Sequence, residues 1–399
     1  MSQRFPPSVV ALGLVSLLMA VSSQMIHGLL PLYLVTVLGA SVVWVGVIDG
    51  IAEATNSLAR VVSGAASDWL GRRKPLVVLG YGLAALSKPL FPLASDVGTV
   101  LLARFFDRSG KGIRDAPRDA LLADELPSTA RGSGYGLRLT LFTLGSVIGP
   151  LLAITIMLTS GGDIRLVFWV AAIPAFLSVA VLIVAVREPE NAHGRERRKV
   201  SLRGLRELPP LFWWLVAIAA TLELARFSQA FLLLKAKAVG VDAALIPTFL
   251  MLMSAVYGLT AYPCGAWADH SNRRLQLGIG VTFLLLSHVT LASTSTILGA
   301  GIGVCLWGLQ MGVIQGLLTA SVANAAPDHL RGTAFGIYYL VDGVVSLLAS
   351  VGAGVMWTLG GAALAFSAGA VLAAMALLML LVSPLPAAGR RVTAADAHV

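Results

Sequence analysis

Between Leu101 and Asp124, eight ionisable side chains fall on one face of a segment whose sequence neighbours are long and apolar. Arg104, Asp107, Arg108, Lys111, Arg114, Asp115, Arg118 and Asp119 recur at helical spacing, and as a helix they share a stripe of roughly 140° opposite Leu, Ala, Phe and Ile. A charge facing lipid at the bilayer centre costs about 2.5–3.5 kcal/mol, against about 0.3–0.6 returned by a Leu, so this face cannot meet lipid. It must line a protein interior or a wet cavity, which requires other helices around it. Two explanations stay open. Ionisable residues inside a membrane mark a functional site, the stronger reading for Arg104 to Lys111. Alternatively the stripe is a self-paired structural network, with Lys111 as i, i+4 partner of both Asp107 and Asp115, the stronger reading from Arg114 onward.

Composition identifies the solvent. With 57% hydrophobic and 12% charged residues over 399 positions and a mean hydropathy of +0.84, the chain has more apolar surface than a soluble core of that size uses. It reads as an integral membrane protein. The net charge of +9 does not indicate nucleic acid, because Lys and Arg lie in short loops and in the stripe instead of one exposed basic patch with aromatics. Cys264 and Cys305 sit in apolar segments without zinc or redox spacing. No HExxH, GxSxG or Walker sequence is present, and Gly110-Lys111-Gly112 lacks the upstream Gly spacing and the Ser/Thr of a P-loop. An enzyme, a metal site and a cofactor are therefore not expected.

The first span, Ser8 to Leu38, continues well past a signal-like site at Ala20-Val21-Ser22 and reads as uncleaved. Ser16, Ser23 and His27 share one face, with His27 either a packing residue or a cavity group. The second span, Val42 to Gly64, carries Asp49, Glu53, Asn56 and Arg60 on one face. Two carboxylates there are costly to keep ionised, which makes one a candidate proton carrier; pairing with Arg60 or the charged helix is the alternative. A third span, Pro75 to Ala94, includes Lys88, and the charged helix is the fourth, entering near Thr99. The fifth opens at Arg131-Gly-Ser-Gly-Tyr-Gly136 and holds Arg138 and Gly145-Ser-Val-Ile-Gly149-Pro150; the sixth is Leu166 to Val186. The stretch to Pro209, with Arg195, Arg197, Arg198, Lys199, Arg203 and Arg206, reads as a basic cytoplasmic linker touching anionic headgroups.

Between the second and third spans, Gly64, Asp68, Gly71, Arg72 and Arg73 resemble the loop signature of the major facilitator superfamily, G-x-x-x-D-x-x-G-R-[RK]. The resemblance implies a cytoplasmic loop that helps hold an outward-open state. Arg104 matches the Arg that opens the family's fourth-helix signature, with Asp107-Arg108 in place of its usual Gln-Gly. Gly145 to Ile154 is similar to G-x-x-x-G-P-x-x-G-G, associated with proton-driven exporters in this superfamily, with Ala153 and Ile154 at the final glycines. Close helix packing around a Pro kink is the other reading of that run.

The second half repeats the first. Gly265, Asp269, Arg273 and Arg274 copy the loop, and Arg331 to Gly336 copies Arg131 to Gly136, both about 200 positions on, as two transporter halves would. Asn272 stands where Gly71 does. The counterpart of the charged helix, Gly301 to Asn324, places Val304, Gly308, Met311 and Leu318 at Arg104, Arg108, Lys111 and Arg118. Gly308, Gly312 and Gly316 there read as close helix contact. The second half keeps Glu223 with Arg226 as a local pair, His288, and Asp342 beside Tyr338 and Tyr339, with Asp342 facing Arg138 or the fourth helix. Most loop cations fall on one side when twelve spans are threaded, which puts both termini in the cytoplasm.

The expectation is an all-α membrane protein of twelve transmembrane helices in two six-helix pseudo-repeats, 1–187 and 209–385, joined by a linker 188–208 and followed by a tail 386–399. Alternating access around a midplane site follows from the resemblance. The expected function is proton-coupled secondary transport of a small anionic organic solute across the cytoplasmic membrane. Export by antiport is favoured over symport uptake of an anionic nutrient or metal chelate; a lipid flippase or a transporter-like sensor would share the fold. Candidate substrate contacts are His27, Arg104, Asp107, Arg108, Lys111, Arg138, Tyr338 and Tyr339. Candidate proton carriers are Asp49, Glu53, Glu223 and Asp342. The gating set is Gly64, Asp68, Gly71, Arg72, Arg73, Asp269 and Arg273. The proton gradient takes the place of a cofactor, and the partners are the solute and the bilayer, with no nucleic acid and a monomeric protein.

Overall fold

The computed structural model describes residues 5–70, 72–127, 130–188, 208–268, 272–314, 317–327 and 330–383. Gly71, Asp269, most of the linker (189–207), the tail and the side chains of Asp68 and Arg131 lie outside the described residues. The regular elements are helices, as hydrocarbon demands: without water, each backbone N–H and C=O must find its partner inside the same segment.

Helix α1 (Pro7–His27) continues through a short turn into a wide-wound segment, Tyr33–Val37. There follow α2 (Val42–Leu70), α3 (Lys74–Ser87), α4 (Val97–Asp124), α5 (Arg131–Thr159) and α6 (Ile164–Ala185). Beyond the linker, α7 (Pro210–Ala225) breaks and resumes as Ala230–Ala238, followed by α8 (Pro247–Ala268), α9 (Arg273–Ser293), α10 (Ile297–Ile314) with a continuation Leu317–Ala325, and α11 (Arg331–Leu381). Among the described residues, nine segments are long and apolar enough to cross a membrane. Helices α2 and α4 are not among the nine because of their charges, yet they run 29 and 28 residues. The 51-residue α11 loses helical geometry at Gly360 and Gly361, where Gly361 has φ 68°, a left-handed value that suits glycine and divides the element into two rods.

The periodicity of the charged segment predicts its orientation correctly. On α4, Leu102 and Phe105 point outward, while Arg104, Asp107 and Arg108 are buried. The segment starts at Asp96, whose carboxylate accepts the Thr99 N–H at 2.9 Å and caps the helix. Elsewhere Val184, Leu259, Tyr262 and Leu298 stand among the most exposed large side chains, an exterior suited to lipid.

Within the first half of the chain, α1 packs on α5 and α6, and α4 on α2 and α3; in the second, α8 and α9 pack on α10, and α7 and α9 on α11. The main contacts between halves are α2 with α11 and α5 with α8. The first is tight where α2 begins: a Cβ on Gly46 would lie 2.1 Å from the Ser350 carbonyl oxygen, and one on Gly354 2.9 Å from Val43 Cα. Towards the other end of α2 the nearest atom to a Cβ on Gly336 is Val61 Cγ1, at 3.9 Å. The halves thus press backbone to backbone at one end and stand in looser, side-chain contact towards the end bearing Arg72 to Lys74.

The Gly145 and Gly149 run packs closely, since added Cβ atoms would stand 2.5 Å from the Leu17 carbonyl and 2.6 Å from that of Val21. Gly308 and Gly312 approach α8 in the same way, at 2.8 Å from the Met253 carbonyl and 2.0 Å from Thr260 Oγ1. Gly316 lies outside the described residues.

Candidate functional site

A cavity of about 1010 Å³ separates the halves, lined from α1, α2, α4 and α5 on one side and from the α7 break, α8, α10 and α11 on the other. Its polar wall is α4. Glycines hold that helix backbone to backbone on its neighbours: a Cβ on Gly110 would lie 2.4 Å from the Gly80 carbonyl of α3, and one on Gly112 2.5 Å from the Asn56 carbonyl of α2. With α4 pressed this close, its long side chains reach the carboxylates of α2.

The tier nearest the closed end is fully paired. Arg104 binds the Asp49 carboxylate and donates to His27. Arg108 lies 3.3 Å from Glu53 and 3.3 Å from the same His27 Nε2. A nitrogen that accepts from two guanidiniums carries no proton, so His27 holds its hydrogen on Nδ1. Asp107 is taken by Lys88, whose ammonium lies 2.7 Å from Oδ1 and 3.2 Å from Ser23 Oγ. Lys88 is fully buried, and the partnership with Asp107 is what makes that burial tolerable.

The tier nearest the end bearing Arg72 to Lys74 is also paired. Asp115 accepts from Arg60 at 3.1 Å and Arg118 at 3.0 Å, while Asp119 accepts from Arg118 at 2.9 Å and lies 3.6 Å from Arg138. Between the tiers stand two cations of another kind. Lys111 has no carboxylate within 4 Å and no hydrogen bond among the described residues. Arg114 rests its guanidinium over the Tyr81 ring, 4.2 Å from the centroid, and its Nε and Nη1 make no hydrogen bond.

The facing wall supplies fewer charges. Glu223 and Arg226 pair at 3.3 Å. Ser228 Oγ donates to Asp49 Oδ2 at 2.5 Å, and Ser57 Oγ to Asp342 Oδ2 at 3.0 Å, so each half gives a hydroxyl to a carboxylate of the other. Arg60 lies over Tyr339, 5.2 Å from the ring centroid.

Several expectations need correction. Lys111 is not the i, i+4 partner of Asp107 or Asp115, because those carboxylates are occupied by Lys88 and by Arg60 with Arg118. Asp342 does not face Arg138, which is turned to Asp119; it meets Ser57 of α2. Tyr339 lines the cavity whereas Tyr338 does not, because adjacent residues on a helix point about 100° apart. Asp107 lines the cavity but is committed to Lys88. Of the gating set, Gly64 is near Ala116, Arg73 pairs with Asp124 and its N–H donates to Glu188 at 2.6 Å, and Arg72 and Arg273 are exposed. Sequence reasoning missed Lys88, Tyr81, Ser57 and Ser228 as site residues. Only Lys88 carried a signal, as a lone cation in an apolar span.

Eight cations and seven carboxylates line the cavity. Lys88 beneath Asp107 is a further cation, which leaves an excess of two positive charges. Among the described residues no group of His, Cys, Asp and Glu is placed to hold a metal.

The profile of the Major Facilitator Superfamily matches residues 12–350 and 224–398. An uncharacterised MFS-type transporter of Methanocaldococcus jannaschii is 30% identical over 383 residues, covering 94% of each chain. An inner membrane transport protein of Escherichia coli is 24% identical over 82% of this chain and 72% of its own. Among solved structures, a peptide transporter crystallised with sulfate superposes with a TM-score of 0.78 at 14% identity, covering 94% of both chains. A human organic anion transporter does so with a TM-score of 0.68 at 16% identity, over 94% of this chain and 99% of that one.

Proposed function

The chain belongs to the Major Facilitator Superfamily, a family of membrane transport proteins and not of enzymes, and on that premise we propose that it moves a small anionic organic solute by proton-coupled alternating access. The observation that carries the anion is that two cavity cations, Lys111 and Arg114, have no carboxylate partner among the described residues, in a cavity whose charges sum to an excess of two positive. A buried cation without an anion is costly, and a bound anion removes that cost. Alternating access is supported by halves that press closely where α2 begins and loosen to side-chain contact towards Val61. The twelve-span arrangement, with repeats 1–187 and 209–385, is supported by adding charged α2 and α4 and the Gly361 break to the nine apolar segments. In this reading the protein sits in the cytoplasmic membrane as a monomer, with the end bearing Arg72 to Lys74 and both termini cytoplasmic.

Proton coupling falls to the cavity carboxylates. Glu53 is more open to the cavity side than Asp49 or Asp107, at 38% side-chain exposure against 13% and 6%, and it shares Arg108 with any anion that arrives. The Glu53 carboxylate and the anion compete for Arg108, so protonation of Glu53 frees Arg108 for the solute on one side of the membrane and its deprotonation expels the solute on the other. Proton and solute then load and leave together, which is symport and favours uptake over export. Asp342, Asp49 and Glu223 are the further carriers in this scheme.

The test is flux in inside-out vesicles with acid inside or acid outside, using the anion that most raises the melting temperature of the purified protein in a metabolite panel. Uptake driven by acid outside and lost in Glu53→Gln or Asp342→Asn is expected. Flux indifferent to the gradient would end proton coupling, and uptake driven only by acid inside would make the protein an antiporter for export.

A further inference from the structure

Resting on the transport function proposed above, we infer that Lys111 and Arg114 are the anion-recognition element of the cavity and that they select a doubly charged headgroup of the phosphate-monoester or dicarboxylate kind. The Arg104 and Arg108 guanidiniums, which the charge stripe offers first, are spent on Asp49, Glu53 and His27. A ligand there must displace a carboxylate. Lys111 and Arg114 hold no carboxylate for a ligand to displace among the described residues.

Three features make the pair a built site. Lys111 and Arg114 are three residues apart on one helix, so their side chains rise from the same face about 5–6 Å apart and reach one headgroup. The Tyr81 ring fixes the plane of the Arg114 guanidinium at 4.2 Å, while its Nε and Nη1 make no hydrogen bond. The backbone beneath is rigid, since a Cβ on Gly80 would meet Arg114 Cβ at 2.6 Å. The donors differ in a useful way: a guanidinium presents a planar fork to two oxygens, and an ammonium is a compact charge that meets a third. The surplus of two cations in the cavity equals the charge of a dianion. In the second half of the chain the equivalent positions are Met311 and Ile314, so helix packing at this place does not require cations.

The test uses the full-length protein in detergent at a pH well above the second phosphate pKa of about 6, and two matched pairs of probes. These are phenyl phosphate against its methyl diester, and succinate against its monomethyl ester, read as apparent affinity from the rise in melting temperature. The dianion of at least one pair is expected to bind about tenfold more tightly than its monoanion, and Lys111→Gln or Arg114→Gln to remove most of that preference, whereas Lys111→Arg keeps it. Preference in the phosphate pair alone assigns a phosphate-type headgroup, and in the succinate pair alone a dicarboxylate. Equal affinity for dianions and monoanions, or a preference unchanged in Lys111→Gln, overturns the inference. Lys111 has no hydrogen bond or ion pair to lose, so its variant decides the matter even where Arg114→Gln fails to fold. Flux of the same probes in proteoliposomes is a separate readout. Charge selectivity without flux would remove the transport reading and leave the recognition element, and monoanion flux insensitive to Lys111→Gln would do the opposite.

Discussion

Ser228, in the break of the seventh helix, donates its hydroxyl to Asp49 Oδ2 of the second helix at 2.5 Å. The bond crosses from one half of the chain to the other, and Asp49 also holds Arg104, so the contact between halves and the charge network of the cavity share one carboxylate. Ser57 and Asp342 make the reciprocal link at 3.0 Å.

Ser228→Ala removes a hydrogen bond to a charged group, worth about 1.5–3 kcal/mol. On the alternating-access reading that bond is broken on opening, and the equilibrium should shift by about tenfold or more towards opening at that end. The measurement is the labelling rate of Ser346→Cys by a membrane-impermeant thiol reagent from outside, in a background lacking Cys264 and Cys305. An unchanged rate would show that the bond does not hold the halves together.

Gly46→Leu acts at the same end by steric means. Its first side-chain carbon would lie 2.1 Å from the Ser350 carbonyl, and overpacking of this kind costs about 1–3 kcal/mol. The closed end should stay open, with outside labelling of Ser346→Cys raised and vesicle flux lost. Normal flux would mean that α2 and α11 need not approach this closely during the cycle.

Lys88→Met leaves Asp107 as a buried charge without its lysine, a change that costs about 3–5 kcal/mol when one partner of a buried pair is removed. The melting temperature should fall sharply, and adding Asp107→Leu should restore most of it. A double variant no more stable than the single one would show that Asp107 finds adequate compensation in Arg104, 3.9 Å away.

Topology is tested by single cysteines. Arg72→Cys, Arg197→Cys and Ala395→Cys should react with an impermeant reagent only from the cytoplasmic side, and Asp163→Cys and Asp242→Cys only from outside. Labelling of Arg197→Cys from outside would end the arrangement of two six-helix halves on either side of a cytoplasmic linker.

The helical membrane fold was legible in the sequence because lipid leaves the backbone no alternative, and the inward aspect of α4 because a 3.6-residue period decides which side chains share a face. Asp49 and Glu53 opposite the charged helix, Glu223 with Arg226, and the close packing at Gly145 and Gly308 were legible for the same reason: each is a relation within one helix or between residues whose types leave few partners. What only the tertiary structure decided is who pairs with whom. Asp107 and Asp115 stand one turn either side of Lys111, yet one is taken by Lys88 from α3 and the other by Arg60 from α2 and by Arg118. Asp342 turns to a serine 285 positions away in the sequence. Ion pairing depends on separations of a few ångströms across helix interfaces, where the Coulomb energy is steep and the local dielectric low. Helical periodicity places a charge on a face but says nothing of the distance to the next helix. For that reason the sequence by itself yields the net positive stripe of the fourth span, and the packing of α4 against α2 and α3 decides that Lys111 and Arg114 are the cations left without a carboxylate among the described residues.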